Sequence, residues 1–113
     1  MRVKRGVTSH AKHKKITDQT KGMLKVRRSS IKKAREALFK AWSYQYRDRR
    51  NKKRDIRRLW IIRIGNAAKL NGLSYSKFTA GLKRHKIEID RKILSELAVN
   101  QPKVFTNIIE KVK

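Results

Sequence analysis

The densest run of charged side chains is the segment Arg47 to Arg58, RDRRNKKRDIRR. It carries eight Lys or Arg residues against only Asp48 and Asp55, and wound as a helix it would present cations on nearly every face. Such a concentration of like charge repels itself in isolation. Arg also suits phosphate, because its planar guanidinium makes two parallel hydrogen bonds. We therefore predict that this segment contacts phosphate groups and is not simply a solvated helix face.

The remaining reactive residues form no evident catalytic or metal-binding set. His10 and His13 lie three residues apart, but without Cys or a nearby carboxylate they make a weak metal site and are predicted to meet phosphate or solvent. His85 is predicted to be an ordinary surface residue. The acidic residues stand singly among bases, and the sequence has no Gly-rich phosphate loop. The prediction is a protein that is not an enzyme, with no catalytic residues, no metal and no cofactor.

Three aromatic residues, Phe39, Trp42 and Tyr46, share one helical face at spacings i, i+3 and i+7. They could stack on unpaired bases or pack on a neighbouring helix, and we favour packing. Trp60, flanked by Leu59 and Ile61, is predicted to belong to the core.

Charge and hydrophobicity divide the chain into two halves. The 113 residues carry a net charge of +25, with a sequence pI of about 11.4, which requires a polyanionic partner. Residues 1–58 hold 22 basic and 4 acidic side chains, and only 9 are Leu, Ile, Val or Phe. Residues 59–113 hold 11 and 4, with 19 of those apolar types. Only the second half can support a core by itself. Cys is absent, which excludes disulfides but leaves the redox compartment undetermined.

The second half predicts short helices with identifiable ends. A helix that includes Ile56 should stop at Asn71-Gly72, Ser74 and Asp90 can cap the next two, and Pro102 suits the first turn of the last. The core positions predicted by helical periodicity are Ile56, Trp60, Ile64, Ala67, Ala68, Tyr75, Phe78, Leu82, Ile93, Leu94, Leu97, Ala98, Phe105, Ile108, Ile109 and Val112.

The first half predicts a long helix after an irregular start. Residues 30–56 contain no Gly or Pro, and the spacing of Glu36 to Lys40 and of Asp48 to Lys52 favours ion pairs along a helix. Continued through Ile56, this helix would be about 40 residues long, roughly 60 Å. Residues 1–29 are predicted to be irregular until bound. The predicted fold is all-α: a long basic N-terminal helical extension (1–58, irregular to about 29) followed by a small helical bundle domain (59–113).

Membrane and DNA partners are the alternatives to consider. The basic N-terminus lacks a following apolar stretch, and no window approaches the roughly 18 apolar residues of a spanning helix. Charge from Arg47 to Asp55 also interrupts the apolar stripe that a membrane-surface helix needs. The sequence thus predicts a soluble cytosolic or organellar protein without a membrane partner. A generic DNA-binding or DNA-packaging protein would share its charge and helicity, and remains the alternative function.

Four stretches of the chain are specific enough for comparison with known families: RVKRGV at residues 2–7, YRDRRNKKRDIRRLWIIRI at 46–64, NGLSYSKFTAGLK at 71–83 and EIDRKILSELA at 88–98. Together they resemble the bacterial-type large-subunit ribosomal protein L20 family. The resemblance covers nearly the whole chain in order. Some positions depart from the family pattern: Met23 stands where an aromatic residue is usual, Lys25 where Gly is usual, Ile31 where Tyr is usual and Gly65 where Asn is usual.

The resemblance implies a structural constituent of the large ribosomal subunit that binds 23S-type ribosomal RNA and acts early in subunit assembly. It implies neighbouring large-subunit proteins as further partners, no homo-oligomer, and a location on the ribosome in the bacterial cytoplasm or an organelle matrix. Some members also repress translation of their own messenger RNA, which stays open here. The residues predicted to bind ribosomal RNA are Arg2, Lys4, Arg5, Lys12, Lys14, Lys15, Lys21, Arg27, Arg28, Lys32, Arg35, Arg47, Arg49, Arg50, Lys52, Lys53, Arg54, Arg57, Arg58 and Arg63.

Overall fold

The computed structural model describes residues 2–113, and their regular structure is entirely helical. The predicted all-α fold class is thereby confirmed. The helices are α1 (Gly6–Gln19), α2 (Val26–Ser29), α3 (Ile31–Leu70), α4 (Tyr75–Arg84), α5 (Arg91–Asn100) and α6 (Pro102–Val112). No helix within the described residues combines the length and the apolar character needed to cross a membrane.

The N-terminal region differs from the sequence prediction. Residues 1–29 were expected to be irregular, yet α1 and the short α2 occupy much of this segment. Gly6 is the first residue of α1, and Gly22 follows the helix with a φ of +89°, so both glycines mark helix boundaries. The residues between them include no Pro and several good helix formers. The helix was missed because its apolar residues are few and its amphipathic pattern is weak.

Helix α3 is continuous over 40 residues, as the sequence predicted, and it passes through Gly65 without interruption. The chain divides into two compact units between Arg50 and Asn51. We call residues up to Arg50 the first unit and Asn51–Lys113 the second unit. The division predicted from the sequence, into a basic extension (1–58) and a helical domain (59–113), concerns the roles of the two segments. It stays a prediction.

The first unit has a small buried interior. Among the residues that the structure describes, Thr20, Ala34 and Leu38 are buried in this unit. Ala34 and Leu38 lie one turn apart on α3. The Thr20 hydroxyl donates a hydrogen bond to the carbonyl oxygen of Thr17 at 3.1 Å, which satisfies the buried polar group. Lys25 precedes α2 with φ 48° and ψ −123°, a conformation that L residues rarely adopt.

The second unit has a larger hydrophobic core. Ile64, Ala68, Phe78, Leu82, Leu94, Phe105, Ile109 and Val112 form one buried cluster drawn from α3, α4, α5 and α6. The rings of Phe78 and Phe105 lie 5.3 Å apart between centroids, within the range of a favourable tilted aromatic pair. Gly81 is buried against Val112, where a Cβ would overlap the valine side chain.

Most predicted helix ends in the second unit are confirmed. Gly72 takes a φ of +79° just after α3, the Ser74 hydroxyl accepts a hydrogen bond from the Lys77 amide at 3.4 Å, and Pro102 opens α6. Asp90 occupies the cap position of α5 but makes no side-chain capping hydrogen bond.

Three core predictions were wrong in this unit. Ile93 is 48% exposed, while Ser95 on the same helix is buried, because α5 turns the face around Leu94 toward the core. Trp60 is only partly buried and lies outside the core cluster, as does Ile56. Periodicity identified these helices, but it did not fix which adjacent positions along the apolar stripe reach the interior.

Candidate nucleic-acid interface

Every basic residue predicted to contact RNA has an exposed side chain. Arg2, Lys4 and Arg5 precede α1, while the others lie on α1, the turn after it, α2 and α3. Exposure is what a phosphate contact requires, because the guanidinium or ammonium group must reach the anion. The exposed cations from these positions are Arg2, Lys4, Arg5, Lys12, Lys14, Lys15, Lys21, Arg27, Arg28, Lys32, Arg35, Arg47, Arg49, Arg50, Lys52, Lys53, Arg54, Arg57, Arg58 and Arg63.

The segment Arg47 to Arg58 is helical throughout, and its charges are only partly neutralised. Arg47 Nε lies 2.9 Å from Asp48 Oδ1, and Arg58 Nη1 lies 3.5 Å from Asp55 Oδ1. These pairs are exposed, so each contributes little to stability. The hydrogen bond to Asp48 raises the pKa of the Arg47 guanidinium. Since the segment has only two carboxylates, most of its cations keep their full charge for a partner.

Two arginines of α3 lie against tyrosine rings one turn earlier. The Arg47 guanidinium carbon is 4.6 Å from the centroid of the Tyr44 ring, and that of Arg50 is 4.0 Å from the centroid of Tyr46. Arg50 Nη1 also donates a hydrogen bond to the Tyr46 carbonyl oxygen at 3.4 Å. The two distances between guanidinium carbon and ring centroid fall within the range of cation–π attraction. The rings therefore restrict where these guanidinium groups lie on the helix surface.

The predicted aromatic face of α3 is exposed to solvent. Phe39 is 57% exposed, Trp42 48% and Tyr46 58%. The rings of Phe39 and Trp42 contact each other, with centroids 5.9 Å apart and planes tilted by 45°. Packing against another helix of this chain, the interpretation favoured from sequence, is therefore wrong for these residues. Their outward faces are accessible to a partner.

A groove in the first unit was not predicted from the sequence. It has a volume of about 510 Å³. Ala37 and Ala41 lie one turn apart on α3 and leave room between larger neighbours, a pattern that could have indicated a depression. The groove is lined by Met23, Arg27, Lys33, Glu36, Ala37, Lys40, Ala41 and Tyr44.

The carboxylate in this groove is paired differently from the prediction. Glu36 Oε2 lies 3.0 Å from Lys33 Nζ, three residues before it, whereas the sequence suggested Lys40 as its ion-pair partner. The hydrogen bond from Lys33, followed by its positive charge, lowers the pKa of Glu36. Both side chains are well exposed, so this pair has little influence on the fold.

The histidines do not gather into a metal site. His10 and His13 lie on α1 with exposed side chains, and His85 follows α4 at the surface, as predicted. Across residues 2–113, no group of three or more His, Cys, Asp or Glu side chains is arranged to hold a metal ion. The chemically distinctive surface in the described chain is therefore cationic and aromatic.

Comparison with known proteins tests the resemblance noted in the sequence. The profile of the family described as Ribosomal protein L20 matches residues 2–108. A large ribosomal subunit protein bL20 from Methylibium petroleiphilum is 54% identical over 112 residues, covering 99% of this chain and 95% of the relative.

Two further bL20 relatives show a similar likeness. The protein from Roseiflexus sp. strain RS-1 is 52% identical over 99% of this chain and 96% of the relative, and that from Leptothrix cholodnii is 53% identical over 99% and 95%. A family match and identities of this size over nearly the full length confirm the resemblance. The chain belongs to the ribosomal protein L20 family.

Proposed function

We propose that this protein is a structural constituent of the large ribosomal subunit that binds 23S-type ribosomal RNA through residues 2–58. The observation that carries the proposal is the exposure of every predicted RNA-binding cation on a chain of net charge +25. Membership of a ribosomal protein family supports it independently. The cations predicted in this region are held mainly on α1, α2 and α3, so their spacing is set by helical geometry.

The mechanism is neutralisation of phosphate where RNA helices converge. Cations on several faces of α3 can meet more than one RNA strand, which lowers the repulsion between strands and lets them approach. The deep major groove of A-form RNA hides base edges from side chains, so recognition of paired regions depends on shape. Arg47, Arg49, Arg50, Arg54, Arg57 and Arg58 are the strongest candidates, because their forked guanidinium groups match phosphate geometry.

The role is structural and not catalytic, and it is exercised on the ribosome. The family resemblance adds an early role in large-subunit assembly to this proposal. Repression of the protein's own messenger RNA stays a prediction from the family resemblance. Generic DNA binding is the competing proposal.

Binding to a large-subunit ribosomal RNA fragment across a salt series tests the function. Duplex DNA and an unrelated structured RNA serve as competitors. We expect binding that survives both competitors at physiological salt, with an affinity that falls linearly in a logarithmic plot against salt. Equal displacement by any polyanion would contradict specific recognition and favour the generic DNA-binding alternative.

Replacing Arg50 and Arg54 by Ala tests the assignment of the cationic segment. If both side chains contact phosphate, the logarithmic salt slope should flatten by about 1 to 2 units, since each contact contributes roughly 0.7 to 0.9. The matched control is Lys77→Ala with Lys111→Ala, which removes the same charge from exposed positions outside the predicted site. Equal effects of the two double variants would show that only net charge matters.

A further inference from the structure

The exposed aromatic face of α3 forms the centre of a longer mixed stripe. Within the first unit, Lys32, Arg35, Phe39, Trp42, Tyr46 and Arg49 follow one another at alternating spacings of three and four residues. Residues spaced in this way lie along one side of a helix. The stripe therefore presents two cations, three aromatic rings and another cation in order, and it includes no acidic residue.

The central rings are accessible for contact by a flat partner. Phe39 and Trp42 touch each other at 5.9 Å between centroids, so they form one two-ring surface and leave their outer faces open. Tyr46 differs, because the Arg50 guanidinium already lies 4.0 Å from its ring centroid. The accessible stacking surface is therefore provided by Phe39 and Trp42, with Tyr46 and Arg50 next to it.

The charges around this surface indicate whether its partner is another protein or a nucleic acid. A helix or sheet of another protein would have to bury these cations, and the stripe itself offers no acidic residue to pair with them. Burying charges without such partners is costly. The cations at positions 32, 35, 49 and 50 instead require anions on both sides of the rings. A nucleotide supplies both features, since its base is a flat aromatic system and its phosphate is an anion.

We propose that Phe39 and Trp42 stack on unpaired bases of the bound RNA, while Lys32, Arg35, Arg49 and Arg50 hold the phosphates on either side. This inference rests on the proposed RNA-binding function and deepens it by naming single-stranded or looped nucleotides as the ligand of this face. Paired RNA bases are already stacked on one another and offer no free face at this position. Helix α3 would then make two kinds of RNA contact. Its cations bind phosphates along its length, and Phe39 and Trp42 stack on bases.

Tryptophan fluorescence of the full-length protein provides the direct test. The chain has two tryptophans, so Trp60→Phe leaves Trp42 as the single reporter. A twelve-nucleotide oligouridylate, whose bases stack little on one another, and a twelve-base-pair RNA duplex are titrated in parallel at physiological salt. We expect strong quenching of Trp42 by the single strand at saturation and little quenching by the duplex, although both RNAs bind.

Affinity measurements on variants separate stacking from charge. Trp42→Leu and Phe39→Leu should each weaken binding of the oligouridylate by roughly five- to a hundredfold, the range for loss of a stacked base. The salt slope should not change, because no charge is removed. Trp42→Phe should restore most of the affinity. Ile62→Ala is the control, since Ile62 is an apolar side chain that is 58% exposed on the same helix but lies outside the stripe.

The outcomes distinguish this inference from the function on which it rests. If the ribosomal RNA fragment binds normally but Trp42→Leu has no more effect than Ile62→Ala, stacking is overturned and phosphate binding stands. Quenching by a purified large-subunit protein, with none by either RNA, would assign the face to protein docking and also overturn it. If no RNA binds at all, both proposals fail. Circular dichroism of each variant confirms that α3 is intact.

Discussion

Each of the two compact units has its own buried interior, and the two interiors differ in the amount of hydrophobic surface that they bury. In the second unit, eight hydrophobic side chains form one cluster that includes the ring pair of Phe78 and Phe105. In the first unit, the described buried residues are Thr20, Ala34 and Leu38, and residues 1–50 carry 17 basic side chains against 3 acidic ones. A small interior under strong self-repulsion is stabilised most effectively by a polyanion. The comparison indicates that packing specifies the second unit, and it predicts that binding of a polyanion stabilises the first unit.

Phe105→Ala should have the largest effect on stability. The ring is 1% exposed in the centre of the core, and removing a buried Phe side chain costs about 3–5 kcal/mol. Thermal unfolding followed by circular dichroism should show early loss of second-unit helicity. Val104→Ala, at the neighbouring half-exposed position, should change stability by no more than about 0.5 kcal/mol. Equal effects of the two variants would refute a packing-specified second unit.

Gly81→Ala should destabilise the second unit by about 1–3 kcal/mol, because the added methyl group overlaps the Val112 side chain on α6. Denaturant unfolding at equilibrium measures this change. Gly6→Ala on α1 is the matched substitution in the first unit, where a Cβ would meet nothing within 4 Å. That variant should be neutral or slightly stabilising, and a loss comparable to that of Gly81→Ala would contradict the contrast between the units.

Lys25→Gly should stabilise the first unit by about 1 kcal/mol, even though Gly usually weakens a fold. The residue has a φ of 48°, which a side chain makes unfavourable and Gly adopts freely. Hydrogen exchange of the α2 amides should therefore slow. Lys25→Ala removes the same charge but keeps the Cβ, so a similar gain from that variant would attribute the effect to charge repulsion.

Ser95→Ala should have the smallest effect, a gain of at most about 1 kcal/mol in the second unit. The Ser95 hydroxyl is buried and makes no hydrogen bond within the described chain, so its removal relieves a desolvation cost. Thermal unfolding is again the measurement. Thr20→Val in the first unit is the counterpart and should be destabilising, because the Thr20 hydroxyl is bonded to Thr17. A loss of stability in Ser95→Ala would contradict this, because it would show that the Ser95 hydroxyl has a hydrogen-bond partner.

Sequence alone was sufficient for features that a single residue type determines. Gly72, Ser74 and Pro102 marked helix boundaries correctly, because their backbone and capping preferences are local. It failed where several positions compete for one interior. Ile93 was predicted to be buried but is exposed, whereas Ser95 is buried, since the rotation of α5 is set by the helices packed around it. Helix α1 was missed because its propensity is not accompanied by a strong apolar stripe.

The candidate site was predictable in its residue types and not in its arrangement. The basic residues could be named from composition and spacing, and their side chains are exposed. The exposure of Phe39 and Trp42 could not be deduced, because the same periodicity serves helix packing and base stacking equally well. Their environment depends on which surfaces other segments cover. The groove beside Glu36 likewise depends on how α2 and the preceding turn lie against α3.

The contacts of Arg47 with Tyr44 and of Arg50 with Tyr46 have a consequence for binding entropy. A free arginine side chain samples many rotamers, and immobilising one on a partner costs about 0.5–1.5 kcal/mol. Here the tyrosine rings already confine both guanidinium groups near the surface of α3 before any ligand arrives. Part of the conformational entropy of these two side chains is therefore already lost when the helix folds, before a ligand binds. A phosphate that reaches these positions finds its hydrogen-bond donors preorganised, which lengthens its residence on the helix.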